Sequence, residues 1–211
     1  CDDGSTDRTP ALMSEGARLD SRLRVLAGPP LGVIAAFNRG LAAARGDYVM
    51  RMDCDDLLPP DRISSQMEIL EHSPPATLVT GWIEYFAAGS LGNGYRRYEA
   101  WINSMRTPDD FLRNLFVECV IPSASWMMRT RDLRLLGGYR RDIYPEDYDL
   151  AFRIFERKMK IAVLPRIALR MRDHPGRASR CSPLYRDQRF FNLKSAHLLS
   201  LIHISEPTRL L

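Results

Sequence analysis

Three groups of acids and one histidine in this chain have the types and spacing that chemistry needs. The first is Asp53-Cys54-Asp55-Asp56, three carboxylates in four residues just past the run Tyr48-Val49-Met50. Like charges this close repel unless a cation or a hydrogen-bond network holds them. Hard oxygen ligands of this kind suit Mg²⁺ or Mn²⁺, often shared with a substrate phosphate. A solvated turn with acidic caps for the next helix accounts for the same spacing. An EF-hand calcium loop does not, because Leu58 stands where its glycine belongs and Ser64 where its bidentate Glu belongs. The second group is Glu146-Asp147-Tyr148-Asp149, at an expected helix start. Acids there complement the helix dipole, but three in four residues exceed what capping requires, and one could act as a general base. The third is the acidic turn Asp2-Asp3-Gly4-Ser5, which either accepts hydrogen bonds from a ribose or base or merely shapes the chain. His174, in Arg170-Met171-Arg172-Asp173-His174, is a structural histidine or a ligand.

The elements that must position these groups alternate. Thr9 and Pro10 open a helix with Leu12, Met13 and Ala17 inward, and Leu23 to Leu26 reads as a short strand. Val33, Ala36, Phe37, Leu41 and Ala44 recur at helical spacing up to Gly46. Residues 47 to 52 form a strand that delivers Asp53. Pro59-Pro60 opens a helix with Ile63, Met67 and Leu70 inward, and Thr77 to Phe86 is β-rich. This order predicts an α/β fold with a mostly parallel sheet flanked by helices, and ligands in such sheets sit outside the carboxyl ends of strands. Further on, Gly89 to Gly94 is a loop, Thr107 caps a helix carrying Phe111, Leu112 and Leu115, and Pro122 to Met128 is a buried strand. Thr130 to Leu136 is a helix closed by Gly137-Gly138. A helix from Glu146 turns Leu150, Ala151, Ile154 and Phe155 inward, and strands Ile161–Leu164 and Ile167–Met171 follow. There is no internal repeat.

Composition narrows the function classes. The 211 residues carry 30 Lys plus Arg against 26 Asp plus Glu, a net charge of +4, with 45% hydrophobic residues. That is ordinary globular usage, excluding intrinsic disorder, a collagen repeat and a disulfide scaffold. No run approaches the ~18 apolar residues of a membrane span. Cys1, Cys54, Cys119 and Cys181 form no C-x-x-C pair, which disfavours a paired-cysteine zinc site and suits reduced thiols in the cytoplasm. A phosphate-cradling G-x-x-x-x-G-K-[ST] loop and any nucleic-acid reader motif are absent. Between residues 166 and 194 eight basic residues, Arg180 and Arg186 among them, face Asp173 and Asp187. Such a bias is a solvated face, or suits a diphosphate or an anionic lipid surface, hence peripheral contact at the inner face of the membrane.

Taken in order, the motifs resemble the family 2 glycosyltransferases. Asp2-Asp3-Gly4-Ser5-Thr6-Asp7, Asn38-Arg39-Gly40, Ala44-Arg45-Gly46-Asp47-Tyr48 and Met52-Asp53-Cys54-Asp55-Asp56 are similar to the nucleotide-sugar half, residues 1–86. Gly137-Gly138-Tyr139, Glu146-Asp147-Tyr148-Asp149-Leu150, Arg172-Asp173-His174 and Ser179 are similar to the acceptor half, residues 87–180, with a helical tail over 181–211. The resemblance implies a GT-A fold and an inverting transfer from a nucleotide-diphospho-sugar donor to a glycan or lipid-linked acceptor, assisted by Mn²⁺ or Mg²⁺. It places Asp3, Asn38, Asp53, Asp55 and Asp56 on the donor, Asp55, Asp53 and His174 on the metal, and Asp147 as the base supported by Glu146. The family opens with a further strand and helix, so this chain reads as an N-terminally incomplete piece. The tail from Leu201 resembles translated adapter sequence. A sugar-phosphate nucleotidyltransferase and a non-catalytic nucleotide- or glycan-binding relic are the alternatives.

Overall fold

The computed structural model describes residues 1–177, 181–185 and 187–205. Ser179, Arg180, Arg186 and the tail from residue 206 onward lie outside the described residues.

A four-stranded sheet organises the molecule: β1 (Tyr48–Met50), β2 (Thr77–Ala87), β3 (Met127–Arg129) and β4 (Lys160–Asp173), in spatial order β1-β3-β2-β4. β3 is antiparallel to β1 and to β2, while β2 and β4 are parallel. Three strands therefore share one direction, and the expected mostly parallel sheet is present with one strand reversed. The register places the exits together. Met50, Met127 and Val79 lie level with one another and Ala87 pairs with Asp173 further on, so β1, β2 and β4 all run out on the side of the sheet from which the chain enters β3. The first half of β2 is buried on both faces, as its continuous apolar run demands.

The strand boundaries differ from expectation at three places. Residues 161–171 form one strand rather than two, with register shifts around Trp82 that absorb Pro165, which cannot donate to a ladder. Ala168 crowds Gly81 there, and a Cβ on that glycine would sit 2.5 Å from the alanine's. Leu23 to Leu26 is not a strand, because the backbone alongside it is confined to Asp2, which makes a single bridge to Ala27. Pro122 to Trp126 is buried but turns through the Ser125 N–H to Pro122 carbonyl bond, leaving β3 three residues.

Among the described residues eight α-helices flank the sheet: α1 (Thr9–Leu19), α2 (Val33–Ala43), α3 (Arg62–Glu71), α4 (Asn93–Ile102), α5 (Pro108–Asn114), α6 (Thr130–Leu136), α7 (Glu146–Glu156) and α8 (Asp187–Ser205). α5 opens on the expected Thr107 cap, a full capping box with Asp110, although Leu112 is exposed. Gly137 closes α6 in the left-handed region, φ 85°. α1 departs from expectation. Arg8 is its N-cap, Thr9 lies inside it donating to Asp7 Oδ1 at 2.9 Å, and no residue of it is buried. In α3 the inward residues are Arg62, Gln66 and Leu70, while Ile63 is exposed. The reason is hydrogen bonding: Arg62 donates to Gln66 Oε1 and the Trp126 carbonyl, and Gln66 donates to the Val79 and Ser125 carbonyls. An apolar side chain would leave those carbonyls short of donors.

α7 carries the largest part of the core, with Tyr148, Phe152 and Ile154 fully buried alongside Trp126, Tyr139 and Leu115. One buried acid is embedded in it. Asp149 accepts from Arg140, from Arg153 Nε at 2.8 Å and faces His197 of α8, while Arg153 also donates to the Leu136 and Gly138 carbonyls. Burial opposes ionisation of Asp149, but the bonds from His197 and Arg140 and the Arg153 charge outweigh it and hold the carboxyl at about 2. Two expectations follow. Asp149→Ala, which strands two arginines, costs about 3–5 kcal/mol of unfolding free energy in urea denaturation. Because the folded-state value is depressed, the wild-type stabilisation holds above pH 4 and is lost as pH falls towards 2, a slope the variant lacks.

Candidate active site

The side of the sheet where β1, β2 and β4 run out carries the predicted acids. Past β1 the chain turns through Asp53–Asp56 and lies across β4, where Leu57 N–H donates to the Arg170 carbonyl and Arg170 N–H to the Leu57 carbonyl, 2.8 and 3.0 Å. This antiparallel bridge brings the acidic loop to the end of β4. There His174 Nε2 lies 2.9 Å from Asp55 Oδ2, and Arg172 N–H donates to Asp56 Oδ1 at 2.8 Å. Asp55 and His174 are each about one-third exposed, open to a ligand. Burial pushes the Asp55 carboxyl up, but bonding to His174 and the Arg177 charge bring it below the usual carboxylate value. Asp56 goes the other way: burial, then Asp55 and Asp53, raise it despite the Arg172 N–H and Arg177.

Asp53, expected on the donor and the metal, is gripped here by an arginine. Arg51 Nε donates to its Oδ1 at 2.7 Å and Nη2 to its Oδ2 at 3.3 Å, so both oxygens are engaged by one guanidinium. Arg51 Nη1 reaches on to Glu146 Oε1 at 3.0 Å, Ser123 Oγ at 2.7 Å and Tyr139 Oη at 3.3 Å. Glu146 accepts at its other oxygen from Tyr185 Oη, 2.8 Å, and is buried. Both oxygens of Glu146 are thus engaged, one by Arg51 and one by Tyr185.

Asp147 is half-buried at the start of α7, accepting from the Tyr148 N–H at 2.8 Å. Removal from water, and next the Glu146 charge, raise its carboxyl to about 7, against the pull of Arg51 and the Tyr148 N–H. A carboxyl at that value exchanges a proton near neutrality.

Asp3 caps the neighbouring loop, its oxygens accepting from the Leu31 N–H at 3.0 Å and the Gly32 N–H at 2.8 Å. Its turn needs Gly4, at φ 83° and against Pro30. Asn38, expected on the donor, instead spends its amide on Tyr139, donating to the carbonyl at 2.8 Å and accepting from the N–H at 3.0 Å. It positions the ring that stands behind Arg51. Sequence reasoning missed Arg51, Ser123 and Tyr185. Arg51 carried a signal, a lone cation between two methionines at a strand exit; Tyr185 carried none.

Among the described residues no three His, Cys, Asp or Glu side chains converge as a cation cage. The Asp55–His174 pair supplies two ligand atoms side by side, which fits a cation that takes its remaining ligands from a bound diphosphate and water.

The comparisons with known proteins place this α/β fold in a family. Residues 1–136 match the family model described as "Glycosyl transferase family 2". The chain belongs to that family. An uncharacterized glycosyltransferase of Haemophilus influenzae is 30% identical over 154 residues, 69% of this chain and 47% of the relative. The chain thus spans about half of that relative's length. The solved structure of S. aureus TarS 1-349 in complex with UDP-GlcNAc matches with TM-score 0.72 at 15% identity, over 98% of this chain and 57% of that one. The mannosyltransferase PcManGT of Pyrobaculum calidifontis, in complex with GDP-Man and Mn2+, matches with TM-score 0.60 at 20% identity, over 98% and 55%. At these identities the two structures establish the fold. No helix among the described residues is long and apolar enough to cross a membrane.

The raised Asp147 carboxyl makes stability fall as pH rises. The folded chain holds that proton up to about 7 and the unfolded chain releases it near 4, so unfolding free energy declines between those values. Denaturant titrations at pH 5 and pH 8 should show this decline, and Asp147→Asn should flatten it and be the more stable protein at pH 8.

Proposed function

We propose that this domain transfers a sugar from a nucleotide-diphospho-sugar to a hydroxyl of a glycan or lipid-linked acceptor, with inversion at the anomeric carbon. The observation that carries the reading is the network past β1 in which the ligand pair Asp55–His174 is joined, through Asp53 and Arg51, to Glu146 at the head of α7 beside Asp147. The bound nucleotide sugars named for the two structural neighbours support the donor class.

In the reaction, Asp147 takes the proton of the acceptor hydroxyl while its oxygen bonds to the anomeric carbon. The bond from that carbon to the diphosphate oxygen breaks, and the nucleoside diphosphate leaves. A single displacement of this kind inverts the centre and needs one base and no enzyme nucleophile. Asp55 and His174 hold a divalent cation, Mn²⁺ or Mg²⁺, with Asp53 and Asp56 beside them on the donor side. When bound, that cation supplies charge neutralisation for the leaving diphosphate. Asp3 faces the nucleoside from the adjoining turn.

Two measurements test this. Asp147→Asn should lower transfer by ~10²-fold or more with donor affinity within a few-fold of wild type; transfer surviving within a few-fold would sink the assignment. Titration with Mn²⁺ in the presence of UDP should show tight binding to wild type and at least ~10-fold weaker binding to Asp55→Ala and to His174→Ala, the scale expected when a ligand of a metal site is disturbed. Equal affinity in the three proteins would remove the metal from this pair.

A further inference from the structure

We propose that Arg51 is the positioning residue of this site, a buried strap that locks the donor-side carboxylate Asp53 and the acceptor-side helix α7 into one frame and keeps Asp147 able to work at neutral pH. The inference rests on Asp147 being the base.

The geometry is that of one guanidinium serving four parts of the chain. Its Nε and Nη2 grip both oxygens of Asp53, and its Nη1 meets Glu146, Ser123 and Tyr139. Its side chain is 13% exposed and Glu146 is 3% exposed, so the pair is shielded from water. Asn38 pins the backbone of Tyr139, and Tyr185 closes the far oxygen of Glu146. A planar fork with five donors fits this pattern; the point charge of a lysine reaches one carboxylate at a time.

Electrostatics give the strap its second duty. The ionisable groups around Asp147 are Glu146 on its own helix, Asp53 and Arg51 from the β1 exit, Tyr139 and Tyr185, and beyond them Tyr98 and Cys119. Glu146 and Asp53 both oppose ionisation of Asp147, and Arg51 favours it. Without the guanidinium, two carboxylates remain beside the base with their shared counter-charge gone.

The test uses the full chain and three variants, Arg51→Gln, Arg51→Lys and Glu146→Gln. Asp147 is followed by carbon NMR of its carboxyl, assigned with Asp147→Asn, so ionisation is read without turnover. The midpoint should rise by at least one pH unit in Arg51→Gln, rise less in Arg51→Lys, and fall in Glu146→Gln, where a repelling charge is removed. Transfer by Arg51→Gln should drop at least tenfold at pH 7 and recover part of that loss at pH 9. An unmoved midpoint in a folded Arg51→Gln, or a loss of transfer equal at all pH values, overturns the proposal. If Arg51→Gln does not fold, Arg51→Lys and Glu146→Gln still give opposite signs, and shifts of one sign or none overturn it equally. Should Asp147→Asn keep its activity while the midpoints move as stated, the base assignment fails and the strap stands.

Discussion

Packing acids together is the problem this molecule has to solve, and the bond between Arg51 and its two carboxylates is the interaction on which the solution turns. Asp53 and Glu146 come from segments 93 residues apart, yet both sit on one guanidinium. Unpaired, the nearly sealed Glu146 would lose water without compensation, a loss of several kcal/mol, while Asp53 keeps about a third of its side chain exposed. The ion pair therefore couples the order of the β1 exit to that of the α7 N-terminus. It also explains features that otherwise look unrelated. Ser123 must approach Arg51, so the chain turns before β3 rather than running on as a strand. Tyr139 must hold its hydroxyl against Arg51, so Asn38 grips its backbone. Gly138 then has to leave room for Asn38, whose Oδ1 would lie 2.4 Å from a Cβ there.

A second buried charge system stands behind the first and does a different task. Asp149, two residues on from Asp147, is held by Arg140, Arg153 and His197. The same acidic run thus splits, one carboxylate held by these partners and another beside Glu146. Their environments push them apart, Asp149 down to about 2 and Asp147 up to about 7. Divergence of this sort between neighbouring carboxylates is how one fold keeps an anchor ionised while another acid stays available to exchange a proton. The α7 N-terminus cannot account for the difference, since both acids lie in its first turn.

What the sequence made legible follows the physics of local signals. Helical periodicity, the Thr107 cap and the Gly137 stop lie in neighbouring residues and were readable; so were β2 and the acids past β1 and at the head of α7. The pairing of Asp55 with His174 was readable as a family pattern. The inward Arg62 and Gln66 were not, because their carbonyl partners lie 13 to 64 residues away, and periodicity sees apolar residues alone. Nor was the single long β4, since Pro165 signals a break unless a register shift in the partner strand absorbs it. The strand expected at Leu23–Leu26 had the right composition, but a strand is made by its neighbour's backbone, and one bridge to Ala27 does not make a ladder.

The site also separates wet from dry chemistry. Asp55 and His174 are about one-third exposed, whereas Glu146 and the guanidinium that binds it are nearly sealed. Charge placed at the open end is screened and exchanges freely with ions and phosphates. Charge at the closed end is felt strongly by whatever lies beside it, which is why Glu146 ranks first among the charges acting on Asp147. A leaving diphosphate benefits from a mobile, solvent-supplied counter-charge, and a general base benefits from a fixed one. β1, β2 and β4 run out on the same side of the sheet, and the reversal of β3 brings Ser123 to Arg51. On the proposed reading, a fixed charge carried by an arginine rather than by a second metal leaves the base side independent of ion supply, so that only the donor side would respond to a cation.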